Sequence, residues 1–87
     1  MSAIRLRLYV TGRTPSAERA IATLRALRGE FPERVTIEVI DVLEDPVSAL
    51  NDDVYATPTV FRVSPEPAGR LFGDLSHKDA LVAWLGL

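Results

Sequence analysis

The sequence predicts an α/β fold: a mixed four-stranded sheet in the order 2-1-3-4, packed against helices. Three observations predict it. Residues 4–41 run strand, helix, strand, which is a βαβ unit with parallel strands and a right-handed crossover. A proline-rich turn then separates two short strands, so the third and fourth strands form an antiparallel hairpin. A signalled apolar helix closes the chain. No internal repeat, linker or low-complexity tract divides the 87 residues, and a single domain over 1–87 is expected.

Each element has its own reason. Ile4, Leu6, Leu8 and Val10 alternate with Arg5, Arg7 and Tyr9, so the apolar set shares one face of a strand. TGRTP breaks that strand, and Pro15 suits the first position of a helix capped by Thr14. Ala17, Ala20, Ile21, Leu24 and Leu27 then recur at helical spacing, and Arg28-Gly29 is expected to end the helix. Val35 to Asp41 is β-branched at Val35, Ile37 and Val39, the mark of a second strand. Asp45-Pro46 starts a short helix through Leu50, which Asn51-Asp52-Asp53 ends. Thr59 to Val63 is the third strand, and RLFG after SPEPAG the fourth. Ser76 with Asp79 resembles a capping box, Leu75 and Ala80 have staple spacing, and Leu81, Trp84 and Leu85 form the last apolar face. This order, βαβ–α–ββ–α, is that of a minimal thioredoxin-like domain, with the first strand central and helices on both faces.

Composition removes whole classes of chemistry. The chain has no Cys and one His, which excludes thiol redox chemistry and thiolate nucleophiles and makes a zinc site improbable. A net charge of -2 gives no electrostatic reason to bind nucleic acid or an anionic membrane. The opening segment is too short and charged for a signal peptide, and no run approaches the ~20 apolar residues of a membrane span. A cytoplasmic location is the expectation.

Few residues remain as candidates. In thioredoxin-like enzymes the loop between the first strand and first helix holds the redox thiols, because a helix N-terminus favours a thiolate. Here it reads TGRTPS, where Thr14 or Ser16 could hydrogen-bond a bound thiol but more simply cap the helix. Thr57-Pro58 stands where this fold usually holds a cis-proline turn that pairs with ligands in strand fashion, and fold analogy favours cis. Asp41, Glu44, Asp45, Asp52 and Asp53 match no calcium-loop spacing and are expected to be solvated surface. Nine of ten basic side chains are Arg, which suits bidentate pairing with carboxylates at interfaces. Arg5 and Arg7 project from a strand expected to be central, so they need a thinly covered face, such as the short second helix could leave. They either reach solvent past its edge or dock a partner. His77, with no Ser–Asp arrangement beside it, is a poor catalyst.

In this order and spacing, LYVTGRTPSAERA, VIDVLEDP, ATPTV and GDLS resemble the KaiB family of bacterial circadian-clock proteins, over about Ile4 to Leu87. The sensor domain of the clock-output histidine kinase SasA is also similar. The resemblance implies a non-catalytic, cofactor-free protein that binds the KaiC-type ATPase ring, changes its phosphorylation cycle, and can hold a KaiA-like protein. It also implies a family with two folds, a tetrameric ground state and a thioredoxin-like monomer, between which a partner selects. Arg19 and Arg70 match basic positions of the family, whereas Asp53 and Glu38 stand where lysines are expected. The chain stops at Leu87, where the family usually carries an acidic tail. Trp84 stands for a glycine and Gly86 for an aspartate. Replacing a helix-interior glycine stabilises a helix by ~0.5–1 kcal/mol, and Trp84 adds apolar burial. A thioredoxin-like state without a partner, and a monomer rather than a tetramer, are therefore expected. A sensor domain working with a histidine kinase and a degenerate glutathione-binding enzyme are the competing readings.

Overall fold

Alternation along the first strand decides how the sheet is dressed on its two sides. The computed structural model describes residues 3–87, with Met1 and Ser2 of the opening segment outside the described residues. Its elements are β1 (Ile4–Val10), α1 (Pro15–Glu30), β2 (Val35–Asp41), α2 (Pro46–Asn51), β3 (Thr59–Ser64), β4 (Gly69–Phe72) and α3 (Lys78–Leu85). The sheet order is β2-β1-β3-β4, with β1 parallel to β2 and antiparallel to β3, and β3 antiparallel to β4. The expected mixed sheet is present, with β1 central.

One face of the sheet is dry. Ile4, Leu6, Leu8 and Val10 are buried there with Val35 and Val60, beneath Ala17, Ala20, Leu24 and Leu27 of α1 and Leu81 and Leu85 of α3. Burial of a Leu or Val side chain is worth about 1.5–3 kcal/mol, so this layer carries most of the folding free energy. α1 begins as its sequence predicts, with the Thr14 hydroxyl accepting from the Ala17 amide at 3.2 Å and Pro15 next. It runs past Gly29, however, to Glu30. Phe31 is the C-cap, its amide donating to the Leu27 carbonyl, and its ring packs against the core. Tertiary packing of Phe31 overrides the local stop signal at Gly29.

The start of α3 departs from expectation. His77, not Ser76, is the N-cap, and no side chain caps the helix. The Ser76 amide instead donates to the Asp74 carboxylate at 3.1 Å, closing an Asx turn that uses the capping segment before the helix begins. Ala80 is exposed, so the staple is absent, and Leu75 is buried in the core. The far end behaves as the composition suggests: Leu81 and Leu85 are buried, Trp84 is half-buried beside Gly69, and Gly86 terminates the helix at φ 72°. On β2, Val35 is buried but Val39 is 46% exposed, in an open groove that it lines with Ile21, Leu24 and Arg25 of α1.

Candidate functional site

The second face of the sheet carries the unusual chemistry. Arg5, Arg7 and Tyr9 of β1 lie there, with Glu38 of β2, Phe61 of β3 and Arg70 of β4 in register beside them. Among the described residues only α2 covers it, and no α2 side chain is buried. Asp45 caps α2, its carboxylate accepting from the Ser48 amide at 3.1 Å and the Ser48 hydroxyl at 2.7 Å. These two bonds hold the Asp45 carboxyl below the usual carboxylate range.

Tyr9 is the centre of this face. It is 0% exposed, and its ring meets Phe61 edge-on at 5.6 Å between centroids. A buried phenol needs a partner for its hydroxyl. Tyr9 Oη lies 2.5 Å from Asp52 Oδ2 and 3.1 Å from the Ser48 carbonyl. Arg7 donates to the same Asp52 oxygen at 3.0 Å and to Glu38 at 2.9 Å. Arg70 lies over the Phe61 ring, 4.5 Å from its centroid, and donates to the carbonyls of Asp53 at 2.7 Å and Asp52 at 3.2 Å. Burial, then the nearby Asp52 carboxylate, push the Tyr9 phenol up to about 12. The Tyr9 hydroxyl first, and Arg7 after it, hold the Asp52 carboxyl below its ordinary value against the opposing effect of burial. Glu38 and then Asp52 raise the Arg7 guanidinium further into its charged form.

The sequence candidates therefore divide. Arg7 and Arg70 converge on the Asp52 segment, Arg5 is exposed beside them, and Arg19 stands exposed on α1 across the sheet. Arg7 is paired within its own chain, to Glu38 and Asp52, and its side chain remains 27% exposed. Of the acidic residues, Glu44 and Asp53 are exposed as expected, but the other three are not plain solvated surface. Asp41 accepts from the amides of Gly12 and Leu43, Asp45 is a cap, and Asp52 is the hub just described. Among the described residues, no three or more His, Cys, Asp or Glu side chains gather as a metal site. The importance of Tyr9 and Asp52 was missed in the sequence. The available signal was an aromatic residue in period with two arginines on a nominally polar face, which calls for a polar group above it.

Beside α2 lies the Thr57-Pro58 turn, with a cis peptide bond. Thr11 and Thr57 hydroxyls meet there at 2.7 Å, while Thr14 is engaged as a cap and lies 3.3 Å from the Ser16 hydroxyl. His77 is exposed, 3.7 Å from Asp74. A small cavity of about 110 Å³ is lined by Tyr55, Ala56, Thr59, Arg70 and Phe72. The large exposed apolar side chains concentrate nearby. Leu43, Val47, Leu50 (76% exposed) and Tyr55 (88%) lie on α2 and its flanking loops, and Phe72 on β4 at the cavity. No helix among the described residues is long and apolar enough to cross a membrane.

Comparison with known proteins agrees with this architecture. The Circadian clock oscillator protein KaiB of Prochlorococcus marinus (strain MIT 9303) is 43% identical over 83 residues, covering 94% of this chain and 70% of that protein. Among solved structures, the N-terminal domain of Synechococcus elongatus SasA superposes with a TM-score of 0.78 at 21% identity, covering 99% of this chain and 86% of that one. A malaria-parasite thioredoxin-2 gives 0.86 at 13% identity, covering 97% and 82%. These two likenesses establish the thioredoxin-like fold. The KaiB domain model matches residues 7–87, and with the 43% identity this shows that the chain belongs to the KaiB family of non-enzymatic circadian-clock proteins.

Proposed function

We propose that this protein is a KaiB-like regulator that docks on a KaiC-type ATPase ring and modulates its phosphorylation in a clock or stress cycle. The observation that carries the reading is the set of exposed apolar side chains on and around α2, Leu43, Val47, Leu50, Tyr55 and Phe72, beside the charge of Arg70. A monomer that exposes such side chains together has a surface suited to a partner. The docking face comprises α2, the loop to Pro58 and the adjoining end of the sheet. Arg5 and Arg70 border it, and Arg19 reaches a separate part of the partner. A KaiA-like protein is a further partner of the same complex. The protein acts as a thioredoxin-like monomer, with the half-buried Trp84 and the αL stop at Gly86 supporting a settled α3.

The test is co-migration with the host's KaiC-type ATPase on a sizing column, with ATP and with ADP. Nucleotide-dependent binding is expected. Leu50→Glu with Tyr55→Asp should abolish it while leaving the circular dichroism spectrum intact. Binding that survives both substitutions overturns the assignment of the face. Unaltered binding of Arg19→Glu with Arg70→Glu would remove those arginines from it. A sensor domain serving a histidine kinase uses the same fold, and binding to the kinase but not to the ring would favour it. Glutathione binding has less support, because Thr14 is committed to the helix cap. Amide shifts at Thr11–Ser16 with millimolar glutathione would revive it.

A further inference from the structure

By itself α2 is a weak element. It has six residues and no buried side chain, and a helix this short does not persist in water on its own. Yet the segment from Pro46 to Thr57 displays Val47, Leu50 and Tyr55, so something else must hold it. The holding groups come from the sheet beneath. Tyr9 and Arg7 of β1 both reach Asp52 Oδ2, and Arg70 of β4 reaches the carbonyls of Asp52 and Asp53. Asp53 then reverses the chain at φ 53°, and the Val54 amide donates back to Ala49 at 3.0 Å. Asp52 is thus the carboxylate on which two strand side chains converge, at the point where α2 ends and the loop to Pro58 begins.

We propose that Asp52 is a positioning residue, clamping the end of α2 and the following loop to β1 and so fixing the surface that carries Val47, Leu50 and Tyr55. Its consequence for binding rests on the docking role proposed above, but the clamp itself does not. The carboxylate is turned to the sheet and occupied by Tyr9 and Arg7, so its effect on a partner is indirect. Both bonds are charge-assisted and lie partly out of solvent, which makes them stronger than neutral surface contacts.

The experiment compares Asp52→Ala, Asp52→Asn and Val60→Ala in the full chain, by amide hydrogen exchange and by affinity for the KaiC-type ring. Val60→Ala opens a cavity on the opposite, dry face and serves as a control for general destabilisation. Asp52→Ala should speed exchange at the Asp52, Asp53 and Val54 amides by about tenfold and weaken ring binding by a similar factor. Asp52→Asn keeps an accepting oxygen for Tyr9 and Arg7 but loses the charge, and should recover about half of both effects. Val60→Ala should speed exchange in β1 while leaving those three amides and the affinity near wild type. Unchanged exchange at the three amides in Asp52→Ala would overturn the clamp. So would weakened binding without faster exchange, which would make Asp52 a direct contact. If the wild-type chain does not bind the ring, the docking role fails, and the exchange comparison still decides the clamp.

Discussion

Tyr9→Phe removes a single oxygen from a side chain that is wholly buried and leaves its ring against Phe61 unchanged. The hydroxyl has one proton to donate, and the nearer, charged acceptor is Asp52 Oδ2 at 2.5 Å, with the Ser48 carbonyl at 3.1 Å a secondary contact. A hydrogen bond to a charged group contributes about 1.5–3 kcal/mol net. Asp52 retains Arg7, and its side chain is 30% exposed, so water replaces part of what is lost and the low end applies. The expected loss is about 1.5–2 kcal/mol. With a urea slope near 1 kcal/mol/M for a chain of this size, the unfolding midpoint at pH 7 should fall by about 1.5–2 M without a change in slope. The same hydroxyl fixes a pH dependence. Its folded pKa of about 12 lies above its unfolded value, so the stabilisation is complete below the ordinary tyrosine value and is lost as pH rises towards 12. Wild-type protein should therefore lose stability on that alkaline limb, and Tyr9→Phe should lack that component. A fall of less than about 0.5 kcal/mol at pH 7, within the range of neutral surface changes, would refute the assignment of a buried, charge-assisted bond.

Two further outcomes follow from the same geometry. Thr14→Ala should cost about 1 kcal/mol in urea unfolding, with Thr14→Ser recovering most of it, because the hydroxyl caps the Ala17 amide. At the acid end, the lowered Asp52 carboxyl contributes stability that is present above its unfolded pKa and lost as pH falls through its folded value. An acid titration followed by circular dichroism should show a shallower loss in Asp52→Asn than in wild type, with Asp41, Asp45 and Asp74 supplying what remains.

The periodic parts of the structure were legible because periodicity is a local record of a face. Ile4, Leu6, Leu8 and Val10 on β1, and Ala17, Ala20, Leu24 and Leu27 on α1, declare which side is dry before any contact is known. The Thr14 and Asp45 caps were legible for the same reason, since each acts on an amide three residues away. Helix ends decided by distant packing were not. Glycine at 29 is a strong local stop, but the burial of Phe31 outweighs it, and the Asx turn at Asp74 takes the place of the capping box at Ser76. The polar face was half legible. Its arginines stood out, yet their partners lie far away in sequence: Glu38 is 31 residues from Arg7, and Asp52 is 45. No spacing rule reports a pair of that kind, and so Asp52 read as one more solvated carboxylate.

Because α2 buries none of its side chains, its sequence is unusually free to change. Replacing Val47 or Leu50 leaves no cavity, and the groups that secure the segment from below are the Asp52 and Asp53 carbonyls and a single carboxylate. Backbone carbonyls persist whatever residue carries them. Two jobs that usually compete for the same positions, maintaining the fold and recognising a partner, therefore fall largely on different residues here, with Arg70 the one that serves both. A lineage can redraw the outward side of this helix for a new partner while the dry face beneath α1 stays as it is.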